Sequence, residues 1–166
     1  MIVRDLANFD RRGYDKGRPF LMQAGWFAVM HLFFVKWWFP ARLRPALLRA
    51  FGATVGERVL IRHGVIIQWP WKVKIGDDCW VGERVWLITL ESITLGDDVC
   101  LSQGAVLCTG SHLAEDPRFS YDNAPIVVED GAWIALRATV LRGVTVPAGA
   151  VVGAGSVLRR GSGSSL

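Results

Sequence analysis

The chain has 166 residues, enough for one domain with a buried core, and its 51% hydrophobic content with 18 glycines excludes a disordered protein. The net charge of +4 is uneven, because the first 60 residues hold ten Lys or Arg against four Asp or Glu, and the rest hold nine against eleven. No DNA- or RNA-reading motif accompanies this basic segment, so a membrane surface is the expected anionic partner and nucleic acid is not.

The N-terminal segment, residues 1–54, is rich in aromatic and basic residues. The twenty residues "FLMQAGWFAVMHLFFVKWWF" lie between Pro19 and Pro40 and hold eight of the eighteen aromatics. Their number is close to what a helix needs to cross a bilayer, but Gln23, His31 and Lys36 interrupt them. No small-residue cleavage site follows, so a cleaved signal peptide is not expected.

A second helix is predicted in "ARLRPALLRAFGA". Leu43, Leu47 and Phe51 recur at helical spacing there, opposite three arginines, Arg42, Arg44 and Arg49. A basic amphipathic helix beside an aromatic segment is typical of an interfacial membrane anchor. A spanning helix, or packing of both helices on the main domain or a partner subunit, are the alternatives.

From Val55 onward the sequence is a repeat with an aliphatic residue at every sixth position. Triplets of these hexads begin at 55, 75 and 95, a period of twenty, and the later ones continue with eighteen residues per coil. Glycine often follows the aliphatic residue, and a small or β-branched residue often comes four positions after it. The aliphatic positions are Val55, Ile61, Ile67, Ile75, Val81, Leu87, Leu95, Leu101, Leu107, Val128, Ile134, Val140, Val146, Val152 and Leu158.

This pattern predicts an all-β fold in which three short strands form each triangular coil and successive coils stack as parallel strands over residues 55–160. The aliphatic residues should point inward, and Gly or Asp-Asp should turn the tight corners. The next coil begins thirteen residues late, so residues 113–125 are predicted to be a loop inserted at one corner, directly after His112. The closing stretch "GSGSSL", residues 161–166, is predicted to be a flexible tail.

The hexads, of the form [LIV]-G-x-x-[small]-x, resemble the left-handed parallel β-helix of the hexapeptide-repeat acyltransferases. The stretches "QWPWKVKIGD", "SQGAVLCTGSH" and "PIVVEDGAWI" are similar to exopolysaccharide O-acetyltransferases of the colanic acid type. This resemblance covers nearly the whole chain, although relatives usually continue into a longer, Pro-containing tail. It implies acetyl-CoA as co-substrate, a sugar hydroxyl or lipid-linked saccharide as acceptor, no metal, and a homotrimer with active sites between subunits.

His112, which ends the stretch "TGSH", is the candidate general base. Histidine suits proton transfer near neutral pH, and His112 stands at a coil corner beside a loop that can cover a cleft. In the resembling family the histidine of this stretch accepts the proton of the acceptor hydroxyl. A solvated turn histidine is the alternative. His31 is expected to be packed or interfacial and His63 exposed, and these three distant histidines disfavour a zinc site.

The remaining site residues follow from the resemblance. Backbone N–H groups around Trp133, Ile134 and Ala135 would stabilise the oxyanion, with Leu136 in place of the serine of relatives. Ala154 would let the pantetheine arm lie close, and two arginines would contact the phosphates of coenzyme A. The cofactor contacts are thus Trp133, Ala135, Ala154, Arg159 and Arg160, and the acceptor contacts are Trp86, Thr89, Asp116 and Asn123.

The sequence leaves two alternative functions: an acyltransferase for an amine or a small soluble acceptor, and a catalytically inactive β-helix that acts as a scaffold at the membrane. An enzyme of the exopolysaccharide type is expected in the cytoplasm, at the inner face of the membrane. The three cysteines, Cys79, Cys100 and Cys108, fit that compartment because their odd number and spacing predict reduced thiols without a metal.

Overall fold

The computed structural model of the protein describes residues 3–9 and 13–161, so most of the predicted flexible tail lies outside the described residues. Fifteen short strands form three five-stranded sheets. The first sheet contains β1 (Thr54–Val55), β4 (Val73–Ile75), β7 (Ile93–Leu95), β10 (Ile126–Val128) and β13 (Thr145–Val146). The second contains β2 (Leu60–Ile61), β5 (Trp80–Val81), β8 (Cys100–Leu101), β11 (Trp133–Ile134) and β14 (Val151–Val152). The third contains β3 (Ile66–Ile67), β6 (Trp86–Ile88), β9 (Val106–Cys108), β12 (Thr139–Leu141) and β15 (Val157–Leu158).

Each strand pairs in parallel with the strand three places along the chain, so each coil stacks on the one before it. In the first sheet Lys74 pairs with Thr54 and with Thr94, an offset of twenty residues in both directions. Thr94 then pairs with Val127, 33 residues later, and Val127 pairs with Thr145, eighteen residues later. The predicted parallel β-helix is therefore confirmed.

The inward positions of the hexads form the core of the β-helix. All the aliphatic positions from Val55 to Val152 are buried, and Leu158 in the last coil is half-buried. The small or β-branched residues four positions further, such as Cys79, Val99 and Ala105, are buried with them. Because each coil covers the apolar face of its neighbour, burial falls off only at the terminal coil.

Glycine turns several corners as predicted, for example Gly104 (φ 69°) and Gly131 (φ 68°), but the glycines directly after the aliphatic residue, such as Gly76, have a different role. Gly76 does not have a positive φ, whereas Asp78 (φ 57°) and Asp98 (φ 56°), two positions after the corner glycines, do. A Cβ on Gly76 would lie 2.3 Å from Asp97 Oδ1 and 2.6 Å from the carbonyl carbon of Gly96 in the next coil. Glycine is therefore required at this position because the coils approach closely, and the turn itself is made by the aspartate.

The triangular cross-section has three corners, which we name by their order in each coil. The first corner joins the first and second sheets, and the second corner joins the second and third sheets at residues 62–65, 82–85, 102–105, 135–138 and 153–156. The third corner returns to the first sheet at residues 68–72, 89–92, 109–125 and 142–144, and it includes residues 159–161 after β15. The inserted loop thus extends from the third corner.

Two helices precede the β-helix and pack against it. Helix α1 (Phe20–Val29) continues as a π-helical turn, Met30–Phe34, and helix α2 spans Arg44–Ala50. Trp26 is 1% exposed and its indole Nε1–H donates to the carbonyl of Ile67 at 2.8 Å. Short 3₁₀ turns lie at Leu6–Asn8, Ala41–Leu43 and Pro70–Lys72. The helical segment and the coils share one hydrophobic core.

The amphipathic pattern predicted for residues 41–53 is wrong at two positions, Leu43 in the 3₁₀ turn and Arg44 at the start of α2. Leu43 is 47% exposed, and Arg44, predicted to lie on the polar face, is 2% exposed. The Arg44 guanidinium donates to the carbonyls of Phe34 (2.9 Å), Ile61 (3.3 Å) and Lys36 (2.7 Å). The carbonyls at the end of a helix need donors, and Arg44 supplies them where the π-helical turn ends.

Several apolar side chains of the helical segment face outward. Phe20, Leu21 and Trp37 are 77%, 82% and 80% exposed, and Trp38 is half-exposed. We call these four residues the apolar ridge. None of the described helices is long and apolar enough to cross a membrane.

The three cysteines are free thiols, as predicted. Cys79 lies in the core, where burial raises the pKa of its thiol to about 11. A thiol with this pKa stays protonated at neutral pH and behaves as a small hydrophobic residue.

Candidate active site

His112 lies at the third corner of the third coil, four residues after β9 ends. It forms an isolated antiparallel bridge with Tyr121, so the inserted loop folds back on it as a hairpin. Backbone hydrogen bonds on either side of the bridge hold the hairpin, from Leu113 N–H to the Ser120 carbonyl (2.9 Å) and from Asp122 N–H to the Ser111 carbonyl (2.8 Å). His112 is half-buried there rather than solvated like a surface turn residue.

The loop determines which ring nitrogen of His112 carries the proton. Nδ1 lies 2.6 Å from the backbone carbonyl oxygen of Phe119. A carbonyl only accepts, so neutral His112 must carry its hydrogen on Nδ1, which leaves the Nε2 lone pair available to accept a proton. Phe119 has φ 55°, a left-handed conformation unusual for a bulky residue, and it presents this carbonyl to the imidazole.

Aromatic rings surround the imidazole. The Phe119 ring stacks on His112 with 4.1 Å between centroids and an interplanar angle of 7°, and the Tyr121 ring stacks at 5.0 Å. Phe9 packs edge-on against both, 5.5 Å from His112 and 5.3 Å from Tyr121. The rings restrict the imidazole to one orientation, and no motif in the sequence indicates the contact with Phe9.

The N-terminal segment is attached to the loop by two further contacts. Asp5 N–H donates to the Pro117 carbonyl at 2.7 Å, and the Arg4 guanidinium lies 5.1 Å from the centroid of the Phe119 ring. No periodicity or motif in residues 1–9 signals these contacts, because they depend on where the folded chain brings the segment.

Two predicted acceptor contacts, Asp116 and Asn123, hold the loop together. Asp116 accepts from the Arg118 N–H (2.9 Å), the Ser120 N–H (3.2 Å) and the Ser120 hydroxyl. These bonds, the hydroxyl first, hold the pKa of the Asp116 carboxyl below its usual value. Asn123 Oδ1 accepts from the Ser111 N–H at 3.2 Å. The Asp122–Arg142 ion pair fastens the end of the loop to the next coil.

Thr89 was predicted to contact the acceptor, and the structure contradicts this. Thr89 is 0% exposed. Its hydroxyl accepts from the Trp69 N–H at 2.8 Å and donates to the Trp69 carbonyl at 3.2 Å, in the preceding coil. Thr109 occupies the same position one coil higher, where its hydroxyl accepts from the Glu91 N–H at 2.9 Å. These buried threonines fasten the third corners of neighbouring coils together.

Trp86, in contrast, is 45% exposed on the outer face of the third sheet. It lines a cavity of ≈ 350 Å³ between that sheet and α1, with Trp69 and Phe27 among the other walls. Trp69 connects this cavity to the loop, because its Nε1–H donates to the Tyr14 hydroxyl (3.0 Å) and the Tyr14 ring packs 5.7 Å from Tyr121. Trp86 therefore keeps a face available for a ligand, as the predicted role requires.

Two of the three predicted oxyanion donors, Trp133 and Ala135, already have acceptors. Trp133 N–H donates to the Ala150 carbonyl (2.8 Å) and Ala135 N–H to the Val152 carbonyl (2.9 Å), because both belong to the ladder with the last coil. Within residues 3–9 and 13–161, the backbone N–H of Leu136 at the second corner has no hydrogen-bond acceptor. Of the amides of Trp133, Ala135 and Leu136, that of Leu136 is thus the available donor. The side chain of Trp133 is half-exposed and donates to Ser102 Oγ at 2.8 Å.

Ala154 lies exposed at the second corner of the last coil, one coil beyond Leu136. The flanking glycines, Gly153 and Gly155, have open space around the position of a Cβ. The second corner of the last coil is therefore formed by small residues with open space around them. Arg159 and Arg160 are exposed at the third corner, on the side of the β-helix that carries His112.

Most of the predicted site residues therefore lie at two separate corners of one chain, while Trp86 and Trp133 lie in strands β6 and β11. His112, the loop and the two terminal arginines belong to the third corner, whereas Ala135, Leu136 and Ala154 belong to the second. Among the described residues, no group of three or more His, Cys, Asp or Glu side chains is placed to hold a metal ion.

Comparison with known families and structures agrees with this fold. The sequence matches the family described as the hexapeptide repeat of succinyl-transferase over residues 72–109 and 125–160. A hexapeptide-repeat-containing acetyltransferase from Vibrio cholerae is 25% identical with a TM-score of 0.75, and the match covers 82% of this chain and 78% of that one. Its structure in complex with acetyl-CoA is 26% identical with a TM-score of 0.71, covering 82% and 74%. A galactoside acetyltransferase in complex with coenzyme A shares the fold at 22% identity and a TM-score of 0.72, covering 81% and 69%.

The chain belongs to the hexapeptide-repeat acetyltransferases, as its repeat and its near full-length relatives show together. In particular, it is 41% identical over 151 residues to WcaF of Escherichia coli (strain K12), a protein assigned by name as an acetyltransferase of colanic acid biosynthesis. The match covers 89% of this chain and 81% of that protein. The Shigella flexneri protein of the same name matches equally. The predicted class of enzyme, an acyltransferase, is confirmed.

Proposed function

We propose that the protein transfers an acetyl group from acetyl-CoA to a hydroxyl group of a sugar in an exopolysaccharide precursor, with His112 as general base. The observation that carries the proposal is the 2.6 Å contact between His112 Nδ1 and the Phe119 carbonyl oxygen. It fixes the tautomer whose Nε2 can accept a proton, at a half-buried corner that a loop covers.

The reaction follows from this geometry. Nε2 of His112 takes the proton of the acceptor hydroxyl as its oxygen attacks the thioester carbonyl carbon. The tetrahedral intermediate carries a negative oxygen, which the free N–H of Leu136 can stabilise. When the intermediate collapses, the C–S bond breaks, the coenzyme A sulfur leaves, and the imidazolium returns the proton to it. No covalent enzyme intermediate forms.

A trimer would bring the two halves of the site together. Leu136 and Ala154 lie at the second corner and His112 at the third, so one chain does not place them around one substrate. If the second corner of one subunit faces the third corner of its neighbour, closed threefold symmetry creates three identical sites. Half-exposed apolar side chains on the outer faces, such as Trp133 and Val151 at 47% each, support burial between subunits.

The second corner and the terminal arginines offer surfaces on which acetyl-CoA can bind. The narrow second corner around Ala154, with Gly153 and Gly155 beside it, has room for a pantetheine arm. Arg159 and Arg160 are exposed cations suited to its phosphates. The Vibrio cholerae relative that resembles this fold was solved with acetyl-CoA, which supports the choice of acyl donor.

The acceptor would bind near Trp86, whose exposed indole can stack against a sugar ring. The apolar ridge and the basic N-terminal third favour attachment at the inner face of the cytoplasmic membrane, close to a lipid-linked saccharide. The relatives assigned to colanic acid biosynthesis support an exopolysaccharide precursor as the acceptor.

Mass spectrometry of candidate exopolysaccharide repeat units, incubated with the enzyme and acetyl-CoA, tests this function. We expect a product heavier by one acetyl group that mild alkali removes, because an acetate ester hydrolyses under conditions in which an amide survives. An alkali-stable acetyl group would instead identify an amine acceptor. If the protein neither binds acetyl-CoA nor transfers an acetyl group to any saccharide, a scaffold role replaces the proposed one.

Mixing two inactive variants tests whether neighbouring subunits share a site. His112→Ala removes the base, and Ala154→Trp fills the second corner, so each homotrimer is expected to be inactive. In trimers reassembled from equal amounts of the two, about a quarter of the interfaces combine an intact base with an intact corner. We therefore expect activity to return to about a quarter of the wild-type value. If activity stays at zero although native mass spectrometry detects mixed trimers, the site is not shared in this way.

A further inference from the structure

A second pocket lies at the opposite end of the β-helix from the last coil, between the second corner of the first coil and the chain that joins the π-helical turn to α2. Its volume is ≈ 240 Å³, and three basic residues, Arg44, Arg62 and His63, contribute to its walls. The aromatic residues Trp37, Trp38 and Phe39 contribute the rest of the rim. None of these residues belongs to the site assigned to acetyl transfer.

The guanidinium of Arg44 is a buried charge without an anion. It is 2% exposed, its three hydrogen-bond acceptors are the backbone carbonyls of Phe34, Lys36 and Ile61, and it lies 5.7 Å from the centroid of the Phe39 ring. Burial and, to a smaller extent, the charge of Arg62 lower the pKa of Arg44. The charge of Arg62 has the same sign as this buried charge, so the two arginines together make the potential of the pocket positive.

One carboxylate faces the pocket's basic residues. Glu83 Oε1 lies 3.3 Å from Arg62 Nη2 and 3.7 Å from His63 Nδ1. The Arg62 and Glu83 side chains are 52% and 36% exposed, and an ion pair of this kind contributes little. Two arginines against one carboxylate leave the pocket with net positive charge, and the other N–H groups of Arg62 remain available to a ligand.

The rim suits a membrane interface. Trp37 and Trp38 belong to the apolar ridge, and Lys36 and Arg42 beside them are exposed. Indole rings with adjacent cations are the combination that proteins place at the level of lipid headgroups. A ligand in this pocket would therefore have its polar group beside the arginines and its apolar part toward the ridge.

We propose that this pocket binds an anionic phosphate ester presented by a membrane lipid, with the exposed Arg62 donating to the phosphate and the buried charge of Arg44 attracting it. Arginine matches phosphate because its planar N–H groups donate to two oxygens at once. The pocket lies beside the second corner of the first coil, and the same corner of the later coils carries Leu136 and Ala154, so a lipid phosphate bound here would keep a linked saccharide on the side of the β-helix where transfer is proposed. This inference rests on the proposed membrane attachment and adds the chemical group that is recognised.

Vesicle binding by Arg62→Gln tests the proposal, because Arg62 is exposed and its replacement leaves the fold intact, whereas Arg44 is buried. The matched control is Arg137→Gln, an equal loss of charge at the same corner three coils away. We measure co-sedimentation of the full chain with phosphatidylcholine vesicles that contain or lack phosphatidylglycerol. Wild type should bind the anionic vesicles, Arg62→Gln about fivefold more weakly, and Arg137→Gln as wild type does.

Equal losses in the two variants would overturn the proposal, because they would mean that diffuse charge attracts the membrane. Equal binding of wild type to vesicles with and without phosphatidylglycerol would also overturn it, because choline compensates the phosphate charge of phosphatidylcholine and only phosphatidylglycerol presents a net anionic phosphate. Apolar membrane attachment would then stay in place. Activity on a water-soluble saccharide is measured in parallel, so loss of the pocket and failure of the proposed transferase function are distinguished.

Titration with inorganic phosphate by calorimetry separates a lipid from a soluble source of the phosphate group. If wild type binds inorganic phosphate, Arg62→Gln does not, and anionic vesicles displace the phosphate, the lipid is supported as the source. If phosphate binds at this pocket but anionic vesicles do not compete, the phosphate chemistry stands and the lipid source is rejected.

Discussion

Replacing His112 with alanine is expected to lower kcat for acetyl transfer by about 10²- to 10⁴-fold, with little change in the affinity for acetyl-CoA. The acceptor hydroxyl is a very weak acid, so its oxygen attacks the thioester efficiently only when a base removes the proton during the attack. In this protein the Phe119 carbonyl lies 2.6 Å from Nδ1, which places the hydrogen of the neutral ring on Nδ1 and leaves the Nε2 lone pair for that role. Steady-state kinetics with acetyl-CoA and a saccharide acceptor measure the effect.

His31→Ala is the control for this experiment. His31 is exposed on the helical segment, where its ring packs 4.3 Å from Phe27, and the proposed mechanism gives it no part. Its replacement should leave kcat within about twofold of wild type. If His112→Ala retains wild-type kcat, the assignment of the base is wrong, and if both variants lose activity equally, the loss comes from stability rather than from chemistry.

The β-helix could be predicted because its rule is local and repeated. Every sixth side chain must fill the interior of the β-helix, so each coil is visible in the sequence as a repeat of aliphatic residues. The interruption of that repeat gives the length of the inserted loop. The observed pairing of Trp133 with Cys100, 33 residues apart, agrees with that reading. The reason why glycine is required at position 76 could not be predicted from the sequence in this way. It depends on a close approach between neighbouring coils, a contact between residues twenty apart in the chain.

The contacts of the site were harder to predict. Hydrogen-bond partners such as the Phe119 carbonyl depend on a left-handed residue inside an irregular loop, and no periodic signal marks it. Thr89 resembled a polar residue open to the acceptor, but it is the buried link between two coils. Arg44 was predicted to lie on the polar face of its helix, but its guanidinium is buried because it donates to the carbonyls of Phe34 and Lys36 at the end of the preceding helical turn. In each case a distant backbone group decided the outcome.

Gly76→Ala is expected to destabilise the protein by about 3 kcal/mol, the upper end of what overpacking costs. The new Cβ would lie 2.3 Å from Asp97 Oδ1 and 2.6 Å from both the carbonyl carbon and oxygen of Gly96. A flexible side chain could move away, but the Gly96 backbone is fixed by the coil above it, since its N–H donates to the Val128 carbonyl at 2.8 Å. Relief therefore requires the stacked coils to separate, which weakens the parallel ladder itself.

Gly153→Ala supplies the matched control, since Gly153 follows Val152 as Gly76 follows Ile75, but no coil covers it and open space surrounds its Cβ position. The same change should there alter stability by less than about 1 kcal/mol, toward stabilisation, because alanine restricts the unfolded chain. Thermal unfolding without acetyl-CoA should show Tm lowered by about 6–12 °C for Gly76→Ala and nearly unchanged for Gly153→Ala. Equal shifts in both would mean that glycine acts through backbone freedom, and that close approach of the coils does not determine which residue the corner accepts.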